Sequence, residues 1–337
     1  MRKYIKRMVS MGLVIAMLTS SMTVFAETTG SLSTETTPEA TTPEATTPDA
    51  GTTAPTDAAD DNVVIKENDK PYLALGADLS EEQKATVLNL MGIDSAQLGN
   101  YDVVTVTNAE EHQYLDAYIS SSQIGSKSWS SVVIVKKDAG NGINISTKNI
   151  NYCTVGMYKN ALVTAGIKDA DIIVAGPQNI SGTAALVGVF KAYQEITGNA
   201  ISEDSVDTAL NELVLTGKLE SSTGADADTV EGMIAYLKQK IVENGLDDEN
   251  SISEAIDEAV KEFDVTLSED EKQQLIDLLL KISDLDLDVD SLVNQAKSIY
   301  DKIADMDIDT DGIFAQIGDF FSNFFSSIVD FFKNLFS

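Results

Sequence analysis

Histidine, cysteine and tryptophan occur once each in this sequence, as His112, Cys153 and Trp129. A single cysteine rules out an internal disulfide, so stability must come from a hydrophobic core. With one histidine and one cysteine, a zinc site would need mostly carboxylates, an uncommon ligand set. A nucleophilic triad needs a base beside the nucleophile, and only a meeting of His112 with Cys153 would supply that pair. Each of the two reads first as a structural residue near a helix start. No Gly-x-Ser-x-Gly elbow and no His-Glu-x-x-His motif is present. One tryptophan is sparse for a sugar-binding cleft. Basic residues are scarce as well: 23 Lys and Arg face 54 Asp and Glu, for a net charge of −31. Such a chain repels nucleic acid and anionic membranes and favours cations or a basic partner.

The N-terminal 26 residues read as a cleavable signal peptide. Arg2, Lys3, Lys6 and Arg7 form a basic region, residues 8–18 an apolar run, and Val24-Phe-Ala26 a small-residue cleavage site before Glu27. No lipobox accompanies it, because Cys153 is the only cysteine, and no Leu-Pro-x-Thr-Gly sorting motif is present. The expectation is an extracellular or cell-surface protein. Residues 27–61 are a Thr/Pro/Glu/Ala-rich disordered linker, in which Thr36-Thr-Pro-Glu-Ala40 repeats at 41–45. Such pentads build no core and favour extended, solvated chain. A spacer and plain disorder fit this segment equally well.

Residues 62–200 read as an α+β domain. Ser80-Glu-Glu-Gln83 is a capping-box pattern that opens a helix through residue 91. Strands follow at 102–107, 130–136, 143–148 and 171–175, with helices at 109–119, 154–165 and from Ser181. The turn residues Asp138-Ala-Gly-Asn-Gly142 suggest that the second and third of these strands form a hairpin. From Tyr101 the order is βαββαβ, that of a ferredoxin-like mixed sheet, with added helices. Residues 201–310 then read as an acidic all-α region, with amphipathic helices at 204–216, 228–243, 251–263, 268–282 and 289–304.

The centre of the domain is the stretch 161–198. Pro177 cannot donate to a strand ladder, so the strand Asp171-Ile-Ile-Val-Ala175 should stop before it. Ser181 is the expected N-cap of the next helix. Gly182 and Gly188 mark positions where another part of the chain comes close. Free N–H groups at that helix start make Ser181, Gly182 and Thr183 a candidate anion site. An ordinary β–α turn explains the same residues.

Six segments stand out in order along the domain: Leu73-Ala-Leu-Gly-Ala-Asp-Leu-Ser80, Thr105-Val-Thr-Asn-Ala-Glu-Glu-His112, Ser122-Gln-Ile-Gly125, Asn160-Ala-Leu-Val-Thr-Ala-Gly-Ile167, Ser181-Gly-Thr-Ala-Ala-Leu186 and Phe190-Lys-Ala-Tyr193. Together they resemble the YpuA-like family of secreted Gram-positive bacterial proteins of unknown function. The likeness covers residue 71 to the mid-200s and implies location and domain limits, with no activity attached.

Two C-terminal features lie beyond that likeness. Asp307-Ile-Asp-Thr-Asp-Gly312 is similar to the first half of an EF-hand loop, which makes Asp307, Asp309 and Asp311 candidate ligands for weakly bound calcium. Position twelve of that loop is Gly318 where a bidentate Glu is needed, and a solvated acidic linker is the plainer reading. No other cofactor is expected. Residues 311–337 hold eight of the eleven phenylalanines, at helical spacing. Phe314, Phe321, Phe324, Phe325, Phe331 and Phe332 are the candidate contacts with a membrane interface or an envelope partner protein. Packing on the acidic helices is the alternative. The whole reads as a secreted, cell-envelope-associated, non-enzymatic binding or scaffold module. An extracellular hydrolase acting on cell-wall polymer through paired carboxylates is the alternative.

Overall fold

A computed structural model describes residues 61–66 and 69–296. Its sheet has five strands: β1 Tyr72–Gly76, β2 Asp102–Val106, β3 Ser131–Lys136, β4 Ile143–Ile150 and β5 Ala170–Ile180. They lie in the order β2-β1-β3-β5-β4. Strands β1 and β2 pair in parallel, as do β4 and β5, while β3 runs antiparallel to both of its neighbours. The class is α+β with a mixed sheet.

The strand order corrects the ferredoxin-like expectation. In that arrangement β3 and β4 would pair as a hairpin, but β5 lies between them. The reason is which faces each strand must bury. Ile172 and Val174 of β5 enter one core and Ile173 and Ala175 enter the other, so both faces need cover. Such a strand belongs in the sheet interior. β4 is only intermittently buried and tolerates the edge. The loop after β3 is held by the turn before β5: Lys137 N–H donates to the Asp169 carbonyl (3.0 Å) and Ala170 N–H to the Gly142 carbonyl (3.0 Å). β5 also runs through Gly176-Pro177 to Ile180, where it pairs with Ile150 across an irregularity in β4. Proline is tolerated at such a bulge beside an edge strand. β1 had no counterpart among the expected strands.

Helices cover both faces of the sheet. On one face α1 (Glu81–Leu90) sets Val87 and Leu88 against Leu73, Leu75, Val133 and Ile173. Its Ser80–Gln83 capping box forms as expected. On the other face lie α2 (Asn108–Leu115), a short α3 (Ser121–Ile124), α4 (Val155–Thr164) and α5 (Thr183–Thr197). A Cβ on Gly188 of α5 would come within 2.9 Å of Ala74 Cβ, the close approach its sequence position suggested.

From residue 203 the described elements are helices: α6 Glu203–Thr223, α7 Ala227–Asn244, α8 Glu249–Glu262, α9 Glu269–Ser283 and a helical segment at 289–296. Leu275, Leu278, Leu279 and Ile282 of α9 are buried in one core with Met233, Ile234, Ile252 and Ile256. α6 joins the two parts, placing Ala209, Leu210 and Leu213 in the sheet-side core and Leu215 and Leu219 in the helical one. At this seam Lys238 of α7 pairs with Glu212 of α6 at 2.8 Å, both fully buried. Lys238 Nζ also donates to the Asn160 carbonyl (2.8 Å) and to Thr164 Oγ1 (3.2 Å) of α4.

Candidate functional site

A cavity of about 620 Å³ opens at the end of the sheet where β4 and β5 begin. Its walls come from four places: the β3–β4 connection, α4, the turn before β5, and the helical segment. Each wall is fixed by contacts of its own. In the connection, the N–H groups of Gly140 and Gly142 both donate to Asp169 Oδ1 at 3.0 Å. The amides of Asn141 and Asn144 both donate to Asp171 Oδ1, at 3.2 and 2.9 Å. Lys159 of α4, only 3% exposed, pairs with Asp61 at 2.7 Å.

The helical segment is tied on by Asp288. Its Oδ1 accepts from Ser291 N–H and Oγ as an N-cap, at 2.8 and 2.7 Å. Its Oδ2 pairs with Lys168 at 2.9 Å. The bond from Lys168, helped by Ser291, holds the Asp288 carboxyl down at about 2. Deeper in, Asn160 donates its amide to the Glu231 carbonyl (3.2 Å) and accepts from Gln295 Nε2 (2.5 Å). Sequence reasoning did not single out Lys159, Lys168, Asp169 or Gln295 for a site. Lys168 and Asp169 stand in a short connection before a strand, and Asp288 in a stretch where Asp alternates with Leu and Val, neither of which carries a motif.

The expected anion site lies elsewhere, at the start of α5. The N-cap is Gly182, not Ser181, because the backbone there has φ +93°, and a Cβ at that position would also come within 2.5 Å of Tyr158 Oη. Ser181 Oγ and Thr183 Oγ1 do come together, at 3.3 Å. The carboxyl beside them is the chain's own Glu111, which accepts from Thr183 Oγ1 at 3.4 Å. Ser130 Oγ accepts the Ala185 N–H at 3.0 Å. Glu111 is 2% exposed. Burial pushes its carboxyl up to about 7, against the opposing hydrogen bonds from Asn108 and Thr183.

His112 and Cys153 have separate surroundings. The His112 ring meets Asp116 Oδ1 (2.8 Å) through Nδ1 and the Gly125 carbonyl (3.0 Å) through Nε2. Both partners are acceptors, so the doubly protonated ring is favoured and its pKa is raised, first by Asp116. Cys153 is buried, and burial pushes its thiol up, away from the reactive thiolate. The candidate calcium ligands Asp307, Asp309 and Asp311 lie outside the described residues, as do Phe314, Phe321, Phe324, Phe325, Phe331 and Phe332. Among the described residues no group of three or more His, Cys, Asp or Glu is placed to hold a metal ion. No helix among them is long and apolar enough to cross a membrane.

Comparison with known proteins adds a family. Residues 75–299 match the model described as "Protein of unknown function (DUF1002)". The chain is also 42% identical over 233 residues to the "Uncharacterized protein YpuA" of Bacillus subtilis (strain 168), a match covering 68% of this chain and 78% of that protein. No solved structure matches. The match reaches past the mid-200s to residue 299, so the helices α6 to α9 fall inside the family unit together with the sheet. The chain therefore belongs to this YpuA-like family of unknown function.

Proposed function

We propose that the protein is an exported, non-catalytic module that binds a small polar ligand in the cavity beside Lys159, Lys168 and Gln295. The observation that carries this reading is a cavity of about 620 Å³ whose polar walls are set in place by internal hydrogen bonds and ion pairs. That volume sits within the range of about 300–1,000 Å³ common for small-molecule sites. Export is inferred from the basic and apolar N-terminal sequence ahead of Glu27.

The chemistry of the lining favours binding over hydrolysis. A glycoside hydrolase needs one carboxylic acid kept protonated beside an ionised one. The raised carboxyls Glu111 (about 7) and Glu220 (about 9) do not line the cavity, and Asp288, which does, is held at about 2. The test is to secrete the full chain, confirm by N-terminal sequencing that it begins at Glu27, and incubate it with the low-molecular-weight fraction of an envelope digest. Native mass spectrometry should show an added mass that an Asn294→Trp variant, its indole in the cavity mouth, loses. No added mass, or equal uptake by the variant, would sink the reading.

A further inference from the structure

His112 is the chain's one histidine, and it is not among the residues that line the cavity. Its ring is a bridge. Nδ1 meets Asp116 Oδ1 at 2.8 Å, and Nε2 meets the Gly125 carbonyl at 3.0 Å. Those two oxygens serve the two ends of α3. Asp116 also accepts from Oγ of Ser121, the first residue of that helix, at 3.1 Å, and Gly125 follows its last residue. α3 is four residues long, too short to persist as a helix without tertiary contacts. One side chain therefore pins it to α2 at both ends. Ile124 is buried beside the pin, and Asn108 Nδ2 adds a 3.3 Å bond to the Gly125 carbonyl.

The carboxylate and the carbonyl can only accept. An imidazolium has two N–H groups and satisfies both, whereas a neutral ring has one. Asp116 is ionised, since the contact with His112 holds its carboxyl low, and it keeps the remaining proton on Nδ1. The bare Nε2 then faces the Gly125 carbonyl, lone pair against lone pair. The loss falls on one end of α3, at Gly125.

We propose that His112 is a proton-operated clasp: with both ring nitrogens protonated it holds α3 closed on α2, and with one it releases the Gly125 end. The sign follows from how the fold moves the ring's titration. The pKa of His112 is raised, first by Asp116 and then by the Gly125 carbonyl. The clasp is therefore complete below the ordinary histidine value of about 6.5 and is lost as pH rises through the higher folded value. Glu111, beside His112 on α2, also favours the charged ring. Charged groups on the packed elements are engaged elsewhere. Lys191 of α5 pairs with Glu110 at 2.6 Å, and Lys127, on the connection to β3, with Asp78 at 3.8 Å. Asp207 of α6 accepts from Tyr118 and pairs with Lys281 of α9 at 3.1 Å. α3 itself carries no charged side chain.

The test follows ring titration and amide exchange by NMR in the full mature chain from pH 5 to 9, with exchange rates corrected for their intrinsic base dependence. A single histidine gives a single set of ring nitrogen signals. The Gly125 amide reports release, because it donates to the Ser121 carbonyl at 3.0 Å. The expected result is a ring midpoint above about 6.5, a neutral ring protonated on Nδ1, and a drop of about threefold or more in Gly125 protection across that titration. The Ala165 amide, which donates to the Ala161 carbonyl at 2.9 Å at the end of α4, should not change there. His112→Gln offers an N–H at every pH, so the drop should vanish. Asp116→Asn should lower the ring midpoint and carry the drop with it. A Gly125 amide unprotected throughout, protection unchanged across the ring titration, or a neutral ring protonated on Nε2 overturns the proposal. So does the same drop in His112→Gln, an equal drop at Ala165, or a drop that stays in place while Asp116→Asn moves the ring midpoint.

Discussion

Glu110 and Glu111 are adjacent in the sequence, and the structure gives them opposite fates. Glu110 closes a capping box with Thr107 at the start of α2 and pairs with Lys191 at 2.6 Å. Glu111 points into the core beside Thr183. A carboxyl raised to about 7 favours the folded state only while it is protonated. Below the ordinary carboxylate range both states hold the proton and nothing is lost. Between there and pH 7 the unfolded chain ionises and the folded one does not, so stability falls as pH rises. Above pH 7 the penalty is constant, at most about 3 kcal/mol. Glu111→Gln should therefore be more stable than wild type at pH 8 and similar at pH 4. Urea midpoints of both proteins across that range check it, since the difference curve cancels the other titrating groups. A flat difference curve would show that Glu111 ionises freely. The sequence showed a motif containing both glutamates, but nothing in it says which of two neighbours faces inward.

At the scale of elements, most of the architecture was legible. The Ser80 and Ser268 helix starts both form capping boxes, and α7 to α9 fall close to their expected spans, while α6 runs on to Thr223, past its expected end at 216. Three features were not legible. β1 is five residues with no flanking alternation, and its Ala and Leu residues suit a helix as well. Turn residues at 138–142 implied a hairpin, yet pairing is decided by which strand must be buried on both faces, and β5 won that place. The N-cap at Gly182 depends on a left-handed backbone that Ser181 gives no hint of. Gly182→Ala should then destabilise by about 2 kcal/mol or more, combining left-handed strain with overlap against Tyr158. Tyr158 Oη donates to the Gly182 carbonyl at 2.6 Å and would have to move. Adding Tyr158→Phe should recover part of the loss, so thermal unfolding of both singles and the double would show less than additive effects. Full additivity would assign the loss to backbone strain alone.

On the scale of the whole molecule, a boundary near residue 200 separates strands from helices in the sequence, and composition alone makes the two look like independent units. An amphipathic helix announces that one face is buried but not what covers it. α6 contributes side chains to both cores, and the fully buried Lys238–Glu212 pair is hydrogen-bonded to Asn160 and Thr164 of the sheet side. Detaching the helices would leave that pair without Thr164 and the Asn160 carbonyl, a heavy penalty for buried charge. The two parts should therefore unfold together. The chain supplies its own local probe, because Trp129 is the one tryptophan and sits on the sheet side, with Nε1 donating to the Asp78 carbonyl at 3.2 Å. Far-ultraviolet circular dichroism, by contrast, is dominated by the helices. Tryptophan fluorescence and far-ultraviolet signal should give coincident urea transitions. Lys238→Met, which leaves Glu212 buried and unpaired, should shift both curves together by about 3–5 kcal/mol. Separate midpoints, or a Lys238→Met shift confined to the helical signal, would mean that the sheet folds without its helices.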